Sequence, residues 1–189
     1  MGNFYKNLTV IGPKREAVEA ALTTHQRAAY LTPTRDGITV IFDLESDEAG
    51  DPAPLGDLAL TLSHDLACVA LAVAVYDDDV LLIGLYDRGT QLGEYNSSEA
   101  STLRASVLAR AFDVRARTPL LWALLGAPHV PLFIFESFRH SLLIRALRMP
   151  RWAFATGYKY IQQGEPPPDL AATSLTHVGV PRPWHSGVT

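Results

Sequence analysis

The chain has 189 residues, of which 48% are apolar, and a formal net charge of −4 from 16 basic and 20 acidic residues. These values are typical of one globular domain and exclude wholesale disorder. The single Cys68 excludes an intrachain disulfide, and no apolar run approaches the ~18 residues of a membrane-spanning helix. We therefore predict a soluble, cytoplasmic protein that does not bind membranes.

Charge is distributed unevenly along the chain. Residues 36–100 contain fourteen acidic residues and one basic residue, Arg88, whereas residues 101–189 contain ten basic and four acidic residues. Two interpretations stay open. Acidic turns and basic helices complement one another within the fold, or the acidic segment forms a face for a basic protein partner. Nothing else in the basic segment favours nucleic acid as a partner.

The first hundred residues alternate between strand and helix patterns. Strands are predicted over 4–11, 28–31, 38–42, 68–75, 80–86 and 91–96. Helices are predicted over 13–25 and 55–66, and an acidic loop over 44–51. The order is βαββαβββ, and its first six elements match a ferredoxin-like sandwich with an added hairpin. The predicted fold class is α+β, with a mostly antiparallel sheet of about six strands and a C-terminal helical layer.

The stretch from Cys68 to Val75 is apolar on both of its faces. Alanines at 70, 72 and 74 alternate with larger aliphatic residues. A strand with two apolar faces is typical of the interior of a sheet that is covered on both sides. We therefore predict that this strand lies inside the sheet.

The second half of the chain is predicted to be mainly helical. They are predicted over 103–111 and 120–125, then from Pro131 onward, and finally from Trp152 to Gln163. The third of these has an apolar stripe that consists of Leu132, Phe135, Phe138, Leu142 and Ala146. The predicted organisation is an α/β sandwich over 1–98, helices over 99–164 packed on the sheet in the same globular unit, and a Pro- and Gly-rich tail over 165–189.

The acidic triplet Asp77-Asp78-Asp79 lies between two predicted strands. Aspartate suits tight turns, and a calcium loop needs oxygen ligands at spaced positions. We therefore predict a solvated hairpin turn that binds no metal.

Two other pairs of side chains do not make a site. Glu136 and His140 offer only two ligands, which is too few for a metal ion. The pair His64/Asp65 is explained by solvation at the end of a helix. No catalytic residue, metal ligand or cofactor is therefore assigned. The sequence leaves open whether the chain is an enzyme and favours the interpretation that it is not.

Two sets of side chains are candidates for binding. The aromatic residues near the C-terminal end are typical either of core packing or of a binding rim. The acidic loop offers carboxylates to a basic partner. The candidate binding residues are Trp152, Tyr158, Tyr160, Asp47, Glu48 and Asp51.

Three segments resemble a family of uncharacterised bacterial proteins. They read MGNFYKNLTVIGP at residues 1–13, YDDDVLLIGLYDRGTQLGEYNSS at 76–98 and LRMPRWAFATGYKYIQQGEPP at 147–167. The resemblance implies a soluble bacterial protein and carries over no catalytic residue. Residues 100–131 have no counterpart in it.

Our functional prediction is a non-enzymatic protein-interaction module with an acidic face that receives a basic partner. The alternative is a small-molecule-binding protein or enzyme, with a pocket between the sheet and the C-terminal helices. An apolar cavity near Trp152 and Tyr158 would favour the alternative.

Overall fold

The computed structural model describes residues 2–126 and 135–180 and shows an α+β fold. The described part contains one antiparallel sheet. Its strands are β1 (Tyr5–Ile11), β2 (Ala29–Leu31), β3 (Ile38–Asp43), β4 (Val69–Tyr76), β5 (Val80–Asp87), β6 (Thr90–Asn96) and β7 (Thr176–Val178). Their order across the sheet is β6-β5-β4-β1-β3-β2-β7, and every neighbouring pair is antiparallel.

Seven α-helices surround the sheet in the described residues. They are α1 (Arg15–Thr24), α2 (Leu44–Glu48), α3 (Ala53–Asp65), α4 (Ala105–Ala111), α5 (Thr118–Leu125), α6 (Glu136–Ala146) and α7 (Tyr158–Gln162). A short 3-10 turn, Arg151–Ala153, links the last two helices.

The sheet has a hydrophobic core on each of its two faces. Because side chains alternate along a strand, Leu8 of the central strand β1 faces the core formed with α1 and α3. Tyr5 of the same strand faces the larger core formed with the C-terminal helices. The fold is therefore three layers, with the sheet in the middle.

The predicted place of β4 is confirmed. It pairs with β1 on one side and β5 on the other, and its residues from Ala70 to Val75 are all buried. The alanines lie under α3, where a helix can approach closely, and the larger residues face the C-terminal helices. Two apolar faces predicted two covering layers, and both exist.

The sheet has seven strands rather than the six predicted. The additional strand, β7, lies within the segment 165–189 that was expected to be a tail, and it pairs with β2. Gly179, at φ +81°, follows it, and a Cβ there would lie 2.6 Å from the carbonyl oxygen of Arg27. A three-residue strand has too little pattern to be recognised from its sequence.

Three helix predictions need correction. The predicted acidic loop over 44–51 contains the helix α2, whose first turn is capped by the Asp43 carboxylate. The predicted helix over 152–163 is instead the 3-10 turn followed by α7. In α6, Phe135 and Phe138 are each 55% exposed and do not form a buried stripe. The Leu132 of that stripe lies outside the described residues.

The buried side of α6 is polar in its first half. Arg139 and His140 face inward, together with Leu143. Arg139 forms an ion pair with Glu136 and donates to the hydroxyl of Tyr95. Charged side chains can be buried when they pair with other groups inside the protein. Hydrophobic periodicity does not detect such pairing, so it assigned the wrong side of the helix to the core.

Candidate functional site

The β4–β5 turn holds the acidic triplet, as predicted, but the turn is not fully solvated. Asp78 is only 7% exposed. Its carboxylate accepts from the backbone NH of Asn3 at 2.9 Å and from the Asn3 side chain. Burial alone would raise the pKa of Asp78, but hydrogen bonds from Ser137 and Asn3 outweigh burial and lower it. The triplet therefore anchors the start of β1 and of α6.

The predicted aromatic residues lie in different surroundings. Trp152 is buried, and the guanidinium of Arg35 lies 5.8 Å from its ring centroid. Tyr158 is buried against Tyr30, and its hydroxyl lies 3.1 Å from His177 Nε2. Tyr160 is half-buried, with the Lys159 ammonium 4.9 Å from its ring. Trp152 and Tyr158 thus contribute mainly to the core.

The predicted acidic residues of the 44–51 segment also separate. Asp47 is 3% exposed, and its Oδ2 accepts from the backbone NH of Lys159 at 2.9 Å. Burial raises the pKa of Asp47 to about 6, against the hydrogen bond from Lys159 and the charges of Lys159 and Lys6. Glu48 is half-buried, and Asp51 is exposed just before α3. Of the three, only Asp51 presents its side chain openly to solvent.

The interface between the sheet and the C-terminal helices is tightly packed beside His140. The cavity there measures about 10 Å³ and is bordered by Val73, Ile83 and Leu143. Burial lowers the pKa of His140 to about 3, and Tyr5 contacts its Nδ1 at 2.8 Å. This histidine is therefore neutral near pH 7 and enclosed, so it cannot exchange protons readily with a solvent-borne substrate.

A much larger concavity lies on the opposite face of the sheet. We call it the acidic groove: it runs between α3 and β6, measures about 490 Å³ and has β4 and β5 as its floor. The side chains of the floor are small, since it is built from Ala72, Ala74 and Gly84, and they leave space above the sheet. The helix α3 forms one side of the groove, and β6 with the loop that follows it forms the other.

Tyr86 shapes the middle of the acidic groove. Its ring lies across Gly84, where a Cβ would come within 2.8 Å of it, and its hydroxyl lies 3.0 Å from the position of a Cβ on Gly56. Two glycines thus make room for the ring. The Tyr86 hydroxyl forms no hydrogen bond with the residues the structure describes, which leaves it able to donate to a bound group.

Three carboxylates give the groove its charge: Asp57 from α3, Glu94 from β6 and Glu99 from the loop that follows. Each of the three is exposed. Burial raises the pKa of Tyr86, and the charges of Glu94 and Asp57 raise it further. Both carboxylates line the groove together with Tyr86. No lysine or arginine is among the described residues that line the groove.

Apolar surface lies beside these carboxylates. Leu60 of α3 is 39% exposed, and Leu82 of β5 is half-buried on the floor. A surface that combines negative charge with accessible aliphatic side chains is complementary to a cationic group carried on an apolar body.

Sequence reasoning missed the acidic groove. Asp57, Glu94 and Glu99 belong to three elements, and their local patterns are those of ordinary exposed positions. The available signal was the run of small residues on one face of β4, followed by Gly84 in β5. That run predicts a close approach, but it does not show which part of the sheet stays uncovered.

Within 2–126 and 135–180, no three His, Cys, Asp or Glu side chains converge in a way that could hold a metal ion. In the same ranges no helix has the length and apolar character needed to cross a membrane. Comparisons with protein-family models, curated proteins and solved structures gave no match.

Proposed function

We propose that this protein is a non-enzymatic interaction module whose acidic groove receives a basic segment of a partner protein. The observation that supports the proposal most directly is the lining of the groove: three carboxylates, accessible aliphatic side chains and no cation among its described residues. Complementary charge of this kind accelerates encounter and sets specificity. A partner segment with lysine or arginine next to apolar residues fits both features.

The groove also suits a segment rather than a point contact. Its volume of about 490 Å³ extends from Pro52 at the start of α3 to Glu99 beyond β6. Side chains of an extended peptide alternate in direction, so basic residues can meet Asp57 and Glu94 while the intervening apolar residues lie on Leu60 and Leu82. Asp51, a candidate from sequence, lies next to the Pro52 end.

A defined peptide tests this proposal. The probe is a fluorescein-labelled decapeptide of alternating lysine and leucine, and the comparison peptide replaces lysine with glutamate. We expect saturable binding of the basic peptide, weakening as salt rises, and none of the acidic one. The variant D57N/E94Q/E99Q should bind at least tenfold more weakly and lose most of the salt dependence.

A matched control separates the groove from net charge. The variant D36N/D79N/D113N removes three exposed carboxylates that do not line the groove, and it should bind like the unmodified protein. Ala72→Leu would raise the groove floor without changing charge and should weaken binding. Equal losses in both triple variants, or no effect of Ala72→Leu, would show that the peptide does not bind in the groove.

The alternative function is small-molecule binding at the boundary of the sheet and the C-terminal helices. The observation that favours it is a cavity of about 520 Å³ between Glu99, Arg104 and Trp122. It meets the acidic groove at Glu99 and Ala100, which line both. Loss of peptide binding on Trp122→Ala, with a D57N/E94Q variant unaffected, would favour this second cavity, because Asp57 and Glu94 line only the acidic groove.

We also propose that β1 to β4, with α1 and α3, form a ferredoxin-like core. The order β4-β1-β3-β2 and the position of both helices on one face support this topology. In this topology the β5–β6 hairpin is an addition, and the acidic groove lies between that hairpin and the core helix α3. A soluble bacterial protein is the setting that the sequence resemblance supports, and the single cysteine supports a cytoplasmic location.

A further inference from the structure

A second groove lies on the other side of the molecule, along the outer surface of α6. It measures about 370 Å³, and we call it the phenylalanine groove. Phe135 and Phe138, each 55% exposed, form one wall, and Phe154 forms another. Exposed large aromatic side chains next to one another are unusual on a surface without a binding role.

Phe154 gives this groove a fixed wall. Its ring packs 6.4 Å from the ring of Tyr5 and 6.2 Å from that of His140. Both of these neighbours are fully or almost fully buried, so Phe154 is held against the core. Ile144, which is 2% exposed, also lines the groove. The groove is therefore concave, with an apolar lining that is built before any ligand arrives.

The charged residues of the phenylalanine groove are arginines. Arg145 lies in the last turn of α6, where a cation also suits the helix dipole. Among the described residues Arg145 forms no ion pair. Arg151 pairs with Asp169 at 3.2 Å, with the two side chains 63% and 61% exposed. No carboxylate is among the described lining residues, so an incoming anion meets two guanidinium groups and no repulsion from the lining.

The concave shape of the phenylalanine groove suits a free ligand better than a flat membrane surface. A flat bilayer would touch Phe135 and Phe138, but it would not reach the recessed Ile144 or the half-buried Phe154. A volume of about 370 Å³ lies within the roughly 300–1,000 Å³ typical of small-molecule sites. Arginine binds carboxylates through paired hydrogen bonds, and the aromatic walls favour an apolar body.

We propose that the phenylalanine groove binds a single-chain carboxylate, with the apolar chain against Phe138 and Phe154 and the carboxylate held by Arg145 and Arg151. The Asp169 carboxylate is the group that the ligand displaces from Arg151. This site shares no lining residue with the acidic groove and does not depend on the function proposed for it.

Calorimetric titration of the whole protein tests the proposal, with decanoate below its micelle concentration as the probe. We expect saturable binding of decanoate, and none of acetate or of decyltrimethylammonium, which lack the chain and the negative charge respectively. Absence of saturable binding, or equal binding of the cationic amphiphile, would overturn the proposal. Binding to anionic vesicles without binding of monomeric decanoate would also overturn it and indicate a membrane surface instead.

Variants then locate the ligand. Arg145→Gln and Phe138→Ser should each weaken decanoate binding at least fivefold, while the matched control Arg110→Gln, an exposed arginine of α4, should not. Asp169→Asn should tighten binding, because it frees Arg151 from its present counter-ion. Thermal melts confirm that each variant is folded. Binding unchanged in Arg145→Gln, or weakened in Asp169→Asn, would contradict the assignment.

Discussion

Asp78 and Asp79 are neighbours in the chain with opposite environments. Asp78 accepts hydrogen bonds from Asn3 and is buried, whereas Asp79 is exposed. Asp78→Ala should lower the free energy of unfolding by about 1–3 kcal/mol, since it removes the charged acceptor of the hydrogen bonds that Asn3 donates. Asp79→Ala should change it by less than about 0.5 kcal/mol. Urea denaturation of both variants measures the difference, and equal effects would contradict the anchoring role of Asp78.

The pH dependence of Asp78 has a definite sign. Its folded pKa is lowered, so the stabilisation that it provides is present above about pH 4, near the unfolded value. It is lost as the pH falls through the folded pKa. Loss of stability below pH 4 should therefore be smaller in Asp78→Ala than in the unmodified protein.

The contribution of Asp47 to stability depends on pH with the opposite sign, because burial raises its folded pKa to about 6. Its contribution to stability is fully present below about pH 4 and is lost as the pH rises through about 6. A shift of about two units corresponds to at most about 3 kcal/mol. Asp47→Asn keeps an acceptor for the Lys159 NH and should flatten the fall in stability between pH 4 and 7. An unchanged pH profile would show that Asp47 does not titrate in this range.

Among the elements, β4 connects both cores with the acidic groove. Ala70 is fully buried under α3, while Ala72 lines the groove. Ala70→Leu should therefore overpack the core and cost about 1–3 kcal/mol, and Ala72→Leu should cost less because the groove offers room. Val73→Ala, on the other face, should cost about 1–3 kcal/mol through the cavity that it leaves. Thermal or urea denaturation ranks the three variants, and a silent Ala70→Leu would contradict the close approach of α3.

The C-terminal elements show how tertiary contacts override local pattern. The residues of α6 suggested an apolar stripe through Phe135 and Phe138, yet the helix buries Arg139 and His140. Arg139 finds Glu136, Tyr95 and the carbonyl of Leu124 inside the protein. Buried polar side chains with such partners are tolerated, and the two phenylalanines are then left on the surface, where they form the phenylalanine groove.

At the scale of the whole molecule, the carboxylates divide into two kinds. Asp43 is buried, accepts from Ser46 at 2.7 Å and forms an ion pair with Arg27. Asp43→Asn should therefore cost about 1–3 kcal/mol, since Arg27 loses its buried partner and keeps the ion pair with the exposed Glu45. The variant D57N/E94Q/E99Q should change stability by no more than about 0.5 kcal/mol per site. Thermal melts at low salt compare the two, and a strongly destabilised groove variant would favour charge complementarity within the fold.

The local sequence was sufficient to predict β1 to β6, α3 and the antiparallel character of the sheet. Alternation of side chains and residues suited to turns act over a few positions, and they are readable without knowledge of distant contacts. The two covered faces of β4 were predictable for the same reason, because both of its sets of side chains are apolar.

Only the tertiary structure decided the rest. The strand β7 is defined by its pairing with β2, almost 150 residues earlier in the chain, and Asp78 is buried because Asn3 lies beside it. The acidic groove lies between α3 and β6, so Asp57, Glu94 and Glu99 line one surface through packing alone. Such contacts depend on which surfaces the chain leaves uncovered, and that follows from the packing of whole elements rather than from the pattern of any one segment.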